Sequence, residues 1–156
     1  MLWSAITYAG VGWFCKIDGN MEQTLYKENL EDELELTLKD ACKKLGFRRD
    51  QMIFQHDNDS KHTSNLVKNY LSEQVYGVMK WPAQSPDPNP IENMWALLKK
   101  RLNEYETTCN GILQLQERVK EIWYETITIE EVQKVIESMP NRIKMCLKKK
   151  GYWTKY

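Results

Sequence analysis

Two acidic residues lie at positions suited to metal-dependent chemistry. Asp57 follows the short apolar run at residues 52–54, which predicts a strand, and Glu92 falls in the first turn of a predicted helix. Acids at such positions can point into one crevice at the edge of a sheet, and their hard oxygen atoms suit Mg²⁺ or Mn²⁺. Two such ions, about 3.5 to 4 Å apart, support phosphodiester chemistry by activating a water or a 3′-hydroxyl and stabilising the leaving oxygen. Holding both ions usually takes three acids, and a third is not obvious in this sequence.

Both acids also have purely structural interpretations. Residues 89–92 fit the N-cap and first turn of a helix, so Glu92 could serve only to accept a hydrogen bond from the backbone amide at that cap. Asp57 could merely close an Asx turn. His56 and His62 could be ligands, but isolated histidines beside a helix start are more often surface or hydrogen-bonded groups. Pattern alone favours the structural interpretations.

Composition predicts a folded, single-domain protein of no extreme charge. The chain has 156 residues, of which 42% are hydrophobic and 28% charged, and this length buries a sizeable core without disulfides or a structural metal. Twenty-two Lys plus Arg balance 22 Asp plus Glu, which excludes a globally basic nucleic-acid binder. A phosphate partner must therefore meet a local basic patch.

The cysteines and the first residues indicate an intracellular protein. Cys15, Cys42, Cys109 and Cys146 contain no CxxC pair, so no zinc knuckle or redox motif is present and we expect reduced, buried thiols. Residues 1–14 are uncharged but too short to span a membrane, and they lack the basic region of a signal peptide.

The elements that must position the two acids follow from periodicity. Residues 2–8 and 11–17 predict a hairpin. Apolar residues at helical spacing predict an amphipathic helix from Glu22 to Leu45, which Gly46 ends, with an acidic outer face.

In the rest of the chain, a predicted strand, helix and strand are followed by helices alone. After the strand at residues 52–54, Asp59 or Ser60 should cap a helix that extends to about Gln74, and Val75 to Trp81 should form a second short strand. A proline-rich loop then leads to the helix that carries Glu92. Two more helices follow, the last opened by a capping box at residues 128–131. Strands early and helices late predict one α/β unit.

Two motifs resemble a known family. Residues 55–62 (QHDNDSKH) resemble the Gln-x-Asp-Asn-Ala-Pro-x-His motif of mariner-type transposases, and residues 81–95 (WPAQSPDPNPIENMW) resemble their long Trp-Pro-x-x-Ser-Pro-Asp-Leu-Asn-Pro-Ile-Glu-Asn-x-Trp motif. The 34 residues between Asp57 and Glu92 match the interval of one branch of that family. Shorter similarities extend the resemblance over essentially the whole chain, at residues 3–4, 18–19, 139–140 and 151–156.

The resemblance implies a partial catalytic domain of a DDE transposase across residues 1–156. Its expected fold is α/β, a ribonuclease-H-like mixed sheet flanked by helices and lacking its first strand. In the family three acids hold two Mg²⁺ (or Mn²⁺) ions for DNA cleavage and strand transfer, and Asp57 and Glu92 match the second and third. The implied partners are DNA, both transposon ends and target, and a possible second copy, with no membrane; the implied location is the nucleus.

The sequence departs from the family in ways that bear on activity. The family's first acid lies on a strand upstream of the segment that matches residues 3–4, and Asp18 is no substitute because it matches a non-catalytic turn. Asp59, Ser60 and Pro88 replace the usual Ala, Pro and Leu without removing a ligand. In ribonuclease-H-like sheets the missing strand lies centrally, so its loss should expose two strand edges. We therefore expect a fragment that is inactive alone.

Two other functions stay open at this point. One is a domesticated or degenerate relative that only binds nucleic acid, through basic residues in the Glu92 helix and in the tail: Lys99, Lys100, Arg101, Lys148, Lys149 and Lys150. The other is a non-enzymatic α/β interaction module in which both acids are caps.

Overall fold

The computed structural model describes residues 1–81 and 89–148. Its contacts fall into two units, Met1–Pro86 and Asp87–Tyr156. Every strand among the described residues lies in the first unit, whereas the described part of the second unit is helical. The expected order of strands early and helices late is confirmed.

A two-stranded hairpin opens the first unit, as the sequence predicts. Strand β1 (Leu2–Thr7) pairs antiparallel with β2 (Gly10–Lys16), and Thr7 lies opposite Gly10 at the turn. Gly10 has a φ of 116°, a conformation that side chains with a Cβ rarely adopt.

The predicted amphipathic helix is present and ends where expected. Helix α1 (Gln23–Asn29) continues through a π-helical turn at Leu30–Leu34 into α2 (Glu35–Leu45). Its apolar stripe is buried, and Gly46 ends it in the left-handed conformation with a φ of 69°. The periodicity of the apolar residues therefore gave the correct element and the correct buried face.

The second strand pair frames the loop that carries Asp57. Strand β3 (Ile53–Phe54) pairs parallel with β4 (Gly77–Val78), and α3 (Asn65–Ser72) connects them. Strand β4 is thus shorter than the predicted Val75 to Trp81. A parallel pair requires such a crossover, and the chain supplies it with a single helix.

The predicted start of α3 is wrong. The expected cap was Asp59 or Ser60, but the hydroxyl of Ser64 caps the helix by accepting a hydrogen bond from the Val67 amide at 3.4 Å. Asp59 is engaged elsewhere, because its backbone carbonyl accepts from the amides of His62 and Thr63. Residues 59–63 therefore form turns rather than the first turn of the helix.

The two strand pairs form separate sheets but share one hydrophobic core. Among residues 1–81, no ladder joins β1 or β2 to β3 or β4. Nevertheless the buried residues from both pairs and from the helices form a single cluster: Ile17, Met21, Tyr26, Leu30, Leu34, Leu38, Phe54, Val67, Leu71 and Tyr76. This arrangement agrees with the expectation of a sheet that lacks its first strand.

Four helices with a small core of their own make up the described part of the second unit. They are α4 (Pro90–Leu102), α5 (Ile112–Glu121), α6 (Ile129–Glu137) and α7 (Met139–Lys148). The rings of Trp95 and Trp123 stack with centroids 4.9 Å apart. The predicted capping box is confirmed, because Thr128 and Glu131 exchange side-chain to backbone hydrogen bonds. Most of the predicted proline-rich loop and the end of the basic tail lie outside the described residues.

The described cysteines are free. Cys15, Cys42 and Cys109 form no disulfide, and all three are half-buried rather than buried. The thiol of Cys15 donates to Asn29 Oδ1 at 3.2 Å, and burial, with the nearby charge of Glu33, raises its pKa to about 11. None of the helices in the described ranges is long and apolar enough to cross a membrane.

Replacing Gly12 with alanine should destabilise the first unit. A Cβ at Gly12 would lie 2.5 Å from both Oγ1 and Cγ2 of Thr37 and 2.7 Å from the Ala5 carbonyl oxygen. Thr37 cannot easily turn away, because its hydroxyl donates to the Glu33 carbonyl and accepts from the Trp13 amide. Overpacking of this kind costs about 1 to 3 kcal/mol.

Urea unfolding measures this cost, and Gly77→Ala is the matched control. Gly77 also lies in a strand, but its added Cβ would meet no atom closer than 3.8 Å. Gly77→Ala should change the free energy of unfolding by less than about 1 kcal/mol. Equal effects of the two substitutions would contradict the close packing of β2 against α2.

Candidate active site

The carboxylate of Asp57 is held by its own loop and is open to solvent. Asp57 follows β3, and its side chain is 50% exposed. Its Oδ1 accepts from the backbone amide of Asp59 at 3.1 Å and contacts Nδ1 of His62 at 2.5 Å. The Asx-type contact that the sequence suggested is therefore present, and both contacts involve the same oxygen.

An aromatic cluster packs against this loop on its buried side. The ring of His62 stacks on Tyr26 with centroids 3.8 Å apart, and the Tyr26 hydroxyl lies 3.1 Å from Nδ1 of His56. Tyr26 comes from α1 and is 1% exposed, and Trp3 of β1 packs edge-on against it. The loop after β3 thus contacts both the helix and the hairpin through one buried tyrosine.

Burial fixes the protonation of two members of the cluster. Burial raises the pKa of Tyr26, and the charge of Asp57 raises it further. Burial also lowers the pKa of His56 to about 4, and the nearby His62 contributes to this decrease. At neutral pH the Tyr26 hydroxyl therefore keeps its proton and His56 is uncharged. The Tyr26 hydroxyl and Nδ1 of His56 share a hydrogen bond whose direction depends on the tautomer of the imidazole.

A hydrogen bond ties the first motif to the beginning of the second. The side-chain amide of Asn58 donates to the backbone carbonyl of Trp81 at 2.5 Å. The residue after Asp57 is thereby linked to the residue that opens the second motif, 23 positions further along the chain.

Glu92 is exposed in the first turn of α4. The capping box that the sequence allowed does not form, since the described residues around α4 show only the backbone bond from the Glu92 amide to the Asn89 carbonyl, at 3.3 Å. The next residue, Asn93, accepts from Arg142 at 2.7 Å and so links α4 to α7. The interpretation of Glu92 as a helix cap is therefore not supported by the geometry.

Asp57 belongs to the first unit and Glu92 to the second, so their sharing of an ion stays a prediction. Within residues 1–81 and 89–148, no three side chains of the histidine, cysteine, aspartate or glutamate type are gathered as a metal site.

The predicted basic patch on α4 divides into two kinds of residue. Lys99 and Lys100 are exposed. The side chain of Arg101 is 19% exposed, and its Nη2 donates to both carboxylate oxygens of Glu131. Its Nη1 donates to the hydroxyl of Thr126. Lys148 is exposed at the end of α7, and Lys149 and Lys150 lie outside the described residues. Contact of these residues with DNA stays a prediction.

Sequence reasoning missed two residues that shape the site. Tyr26 was counted only as part of an apolar helical stripe, and Asn58 was given no structural role. The contact of Tyr26 with His56 joins residues 30 positions apart, and that of Asn58 with Trp81 joins residues 23 positions apart, so neither is local in sequence. The five-residue spacing from Asp57 to His62 could have suggested that this histidine turns back onto the acid.

Comparisons with known proteins agree on one family. The model of a family described as DDE superfamily endonuclease matches residues 1–115. The Tcb1 transposase of Caenorhabditis briggsae is 37% identical over 157 aligned residues, which cover 100% of this chain and 54% of that protein. The chain therefore spans about half the length of the curated relatives it matches.

Solved structures confirm the fold. The catalytic domain of Mos1 mariner transposase superimposes with a TM-score of 0.84 at 20% identity, over 99% of this chain and 75% of that one. A Mos1 paired end complex with Mn also gives a TM-score of 0.84, at 22% identity, over 99% of this chain and 44% of that one. The expected ribonuclease-H-like fold is confirmed.

Arg101→Ala should destabilise the second unit, whereas Lys100→Ala should not. The Arg101–Glu131 pair is partly buried, so its loss should cost about 1 to 2 kcal/mol, between the values typical of exposed and buried pairs. The exposed Lys100 next to it should change the free energy of unfolding by less than about 0.5 kcal/mol when replaced. Urea unfolding compares the two, and an equal loss in both would contradict a structural role confined to Arg101.

Proposed function

The chain belongs to the DDE superfamily of endonucleases, and on this basis we propose that it acts in DNA transposition as the nuclease part of a transposase. The reaction is metal-dependent cleavage of DNA and transfer of the cleaved strand. The observation that carries the proposal is the Asp57 carboxylate, which the loop holds through one oxygen while half of the side chain remains exposed.

The two acids fit a hard divalent cation. Asp57 and Glu92 offer carboxylate oxygens, the ligands that Mg²⁺ and Mn²⁺ prefer, and both side chains are accessible. Neither is committed to an ion pair with lysine or arginine among the described residues. The crystal structure of a similar protein, the Mos1 paired end complex, contains Mn. We assign Asp57 and Glu92 as metal ligands and as the catalytic residues of this chain.

The chemistry divides between the ions and the protein. When bound, the ions lower the pKa of a water or 3′-hydroxyl nucleophile and neutralise charge on the leaving oxygen. The protein holds the ligands: the Asp59 amide and the His62 ring orient Asp57, and α4 carries Glu92 at its solvent-facing first turn. The resemblance gives the family's first acid no counterpart among residues 1–156, so we expect the ligand set within these residues to be incomplete.

DNA is the proposed partner. The exposed Lys99 and Lys100 offer charges to phosphate, whereas Arg101 is occupied by Glu131. The basic residues Lys148, Lys149 and Lys150 add a second group. Because the whole chain has no net charge, binding should depend on these groups and weaken steeply with salt. Similarity to a paired end complex supports assembly with a second copy. We also propose a nuclear location, because the proposed DNA substrate would be chromosomal.

Plasmid nicking tests the proposal. We compare this chain with one extended at its N-terminus by a strand that ends in aspartate, the first acid that the family resemblance implies. The chain as given should not nick supercoiled plasmid in Mg²⁺ or Mn²⁺, because two carboxylates leave one ion poorly held. The extended chain should nick, and Glu92→Gln within it should lower the rate by about a thousandfold or more.

The matched control is Glu104→Gln, which neutralises an exposed acid just beyond α4 and should leave the nicking rate unchanged. Salt-dependent DNA binding by the extended chain without nicking would support the alternative, a relative that only binds nucleic acid. Robust nicking by the unextended chain that Glu92→Gln abolishes would show that a third ligand already exists here, and Asp59 would be the first residue to test.

A further inference from the structure

We propose that His62 is a positioning residue for Asp57: its Nδ1–H holds Oδ1 of that carboxylate and leaves Oδ2 for the divalent ion. The inference rests on the proposed function, because it assigns a role to a residue beside the proposed metal ligand. It gives His62, which the sequence suggests only as a possible ligand, a role in orienting Asp57.

The direction of the hydrogen bond follows from the chemistry of the partners. An ionised carboxylate can only accept hydrogen bonds, so at 2.5 Å from Oδ1 the Nδ1 atom of His62 must carry the hydrogen. The Asp59 amide donates to the same oxygen at 3.1 Å. Two donors on Oδ1 restrain the carboxylate, and neither of these hydrogen bonds uses Oδ2.

The histidine ring is itself held in place. The side chain of His62 is 17% exposed, and its ring stacks on Tyr26 with centroids 3.8 Å apart. Tyr26 belongs to α1 and is buried in the core. The backbone amide of His62 donates to the Asp59 carbonyl at 2.9 Å. The position of Nδ1 is therefore set by packing and by the turn, so that His62 can orient Asp57 rather than follow it.

The contact with Asp57 sets the tautomer of His62. His62 donates from Nδ1 to Asp57 Oδ1 and so carries a hydrogen on Nδ1. This hydrogen can be observed without any metal.

Two substitutions separate the donor of His62 from its ring. His62→Phe keeps an aromatic ring to stack on Tyr26 but has no donor, and His62→Asn places an amide donor near the position of Nδ1 but has no ring. We measure Mn²⁺ affinity of the full chain by electron paramagnetic resonance. His62→Phe should weaken binding about tenfold, the lower end of the usual range for groups that orient a metal ligand. His62→Asn should restore most of the affinity.

Two further variants complete the design. Thr63→Val removes a hydroxyl that bonds the carbonyls of Asp59 and Ser60 in the same loop, and it should leave Mn²⁺ affinity unchanged. Asp57→Asn tests the ligand itself. If Asp57→Asn leaves affinity unchanged, the metal site of the proposed function is wrong. If Asp57→Asn weakens binding but His62→Phe does not, only the positioning role is wrong.

Nitrogen-15 NMR of the unmodified, metal-free chain gives an independent test that does not depend on how the variants fold. The proposal requires hydrogen on Nδ1 of His62, and the Asp57→Ala variant should lose that preference. A neutral His62 with hydrogen only on Nε2 in the unmodified chain would overturn the proposal.

Discussion

Burial of Tyr26 is the constraint on which the candidate site depends. The tyrosine is placed in the core by the helical spacing of the apolar residues in α1, and it is 1% exposed. Trp3 of the hairpin packs against its ring, and His56 and His62 of the Asp57 loop contact it as well. Three segments that are distant in sequence therefore meet on one side chain. The orientation of the Asp57 carboxylate is a consequence of this packing as much as of the loop itself.

Exposed charge differs between the two units. The helix α1–α2 is acidic on its outer face and would repel a phosphate backbone, whereas Lys99 and Lys100 are exposed on α4. Arg101, next to these lysines, instead pairs with Glu131, which also belongs to the capping box of α6. Three basic residues adjacent in sequence therefore differ in environment: Arg101 links α4 to α6, whereas Lys99 and Lys100 are exposed to solvent.

Local patterns predicted the elements, and long-range contacts decided the site. The helix from Glu22 to Leu45 and its end at Gly46 follow from apolar spacing and from the backbone freedom of glycine, which act over a few residues. The start of α3 was mispredicted because several polar residues in a row can cap a helix, and turn hydrogen bonds engage Asp59 first. The Arg101–Glu131 pair and the contact of Tyr26 with His56 join residues 30 positions apart, which no local pattern specifies.

We propose that Asp57 and Glu92 hold a common divalent ion. Anomalous diffraction from crystals of the chain soaked in Mn²⁺ locates such an ion directly, without reliance on activity. We expect an anomalous peak within coordination distance, about 2 to 2.5 Å, of a carboxylate oxygen of each residue. A peak bound to only one of the two acids, with the other carboxylate outside this distance, would contradict it.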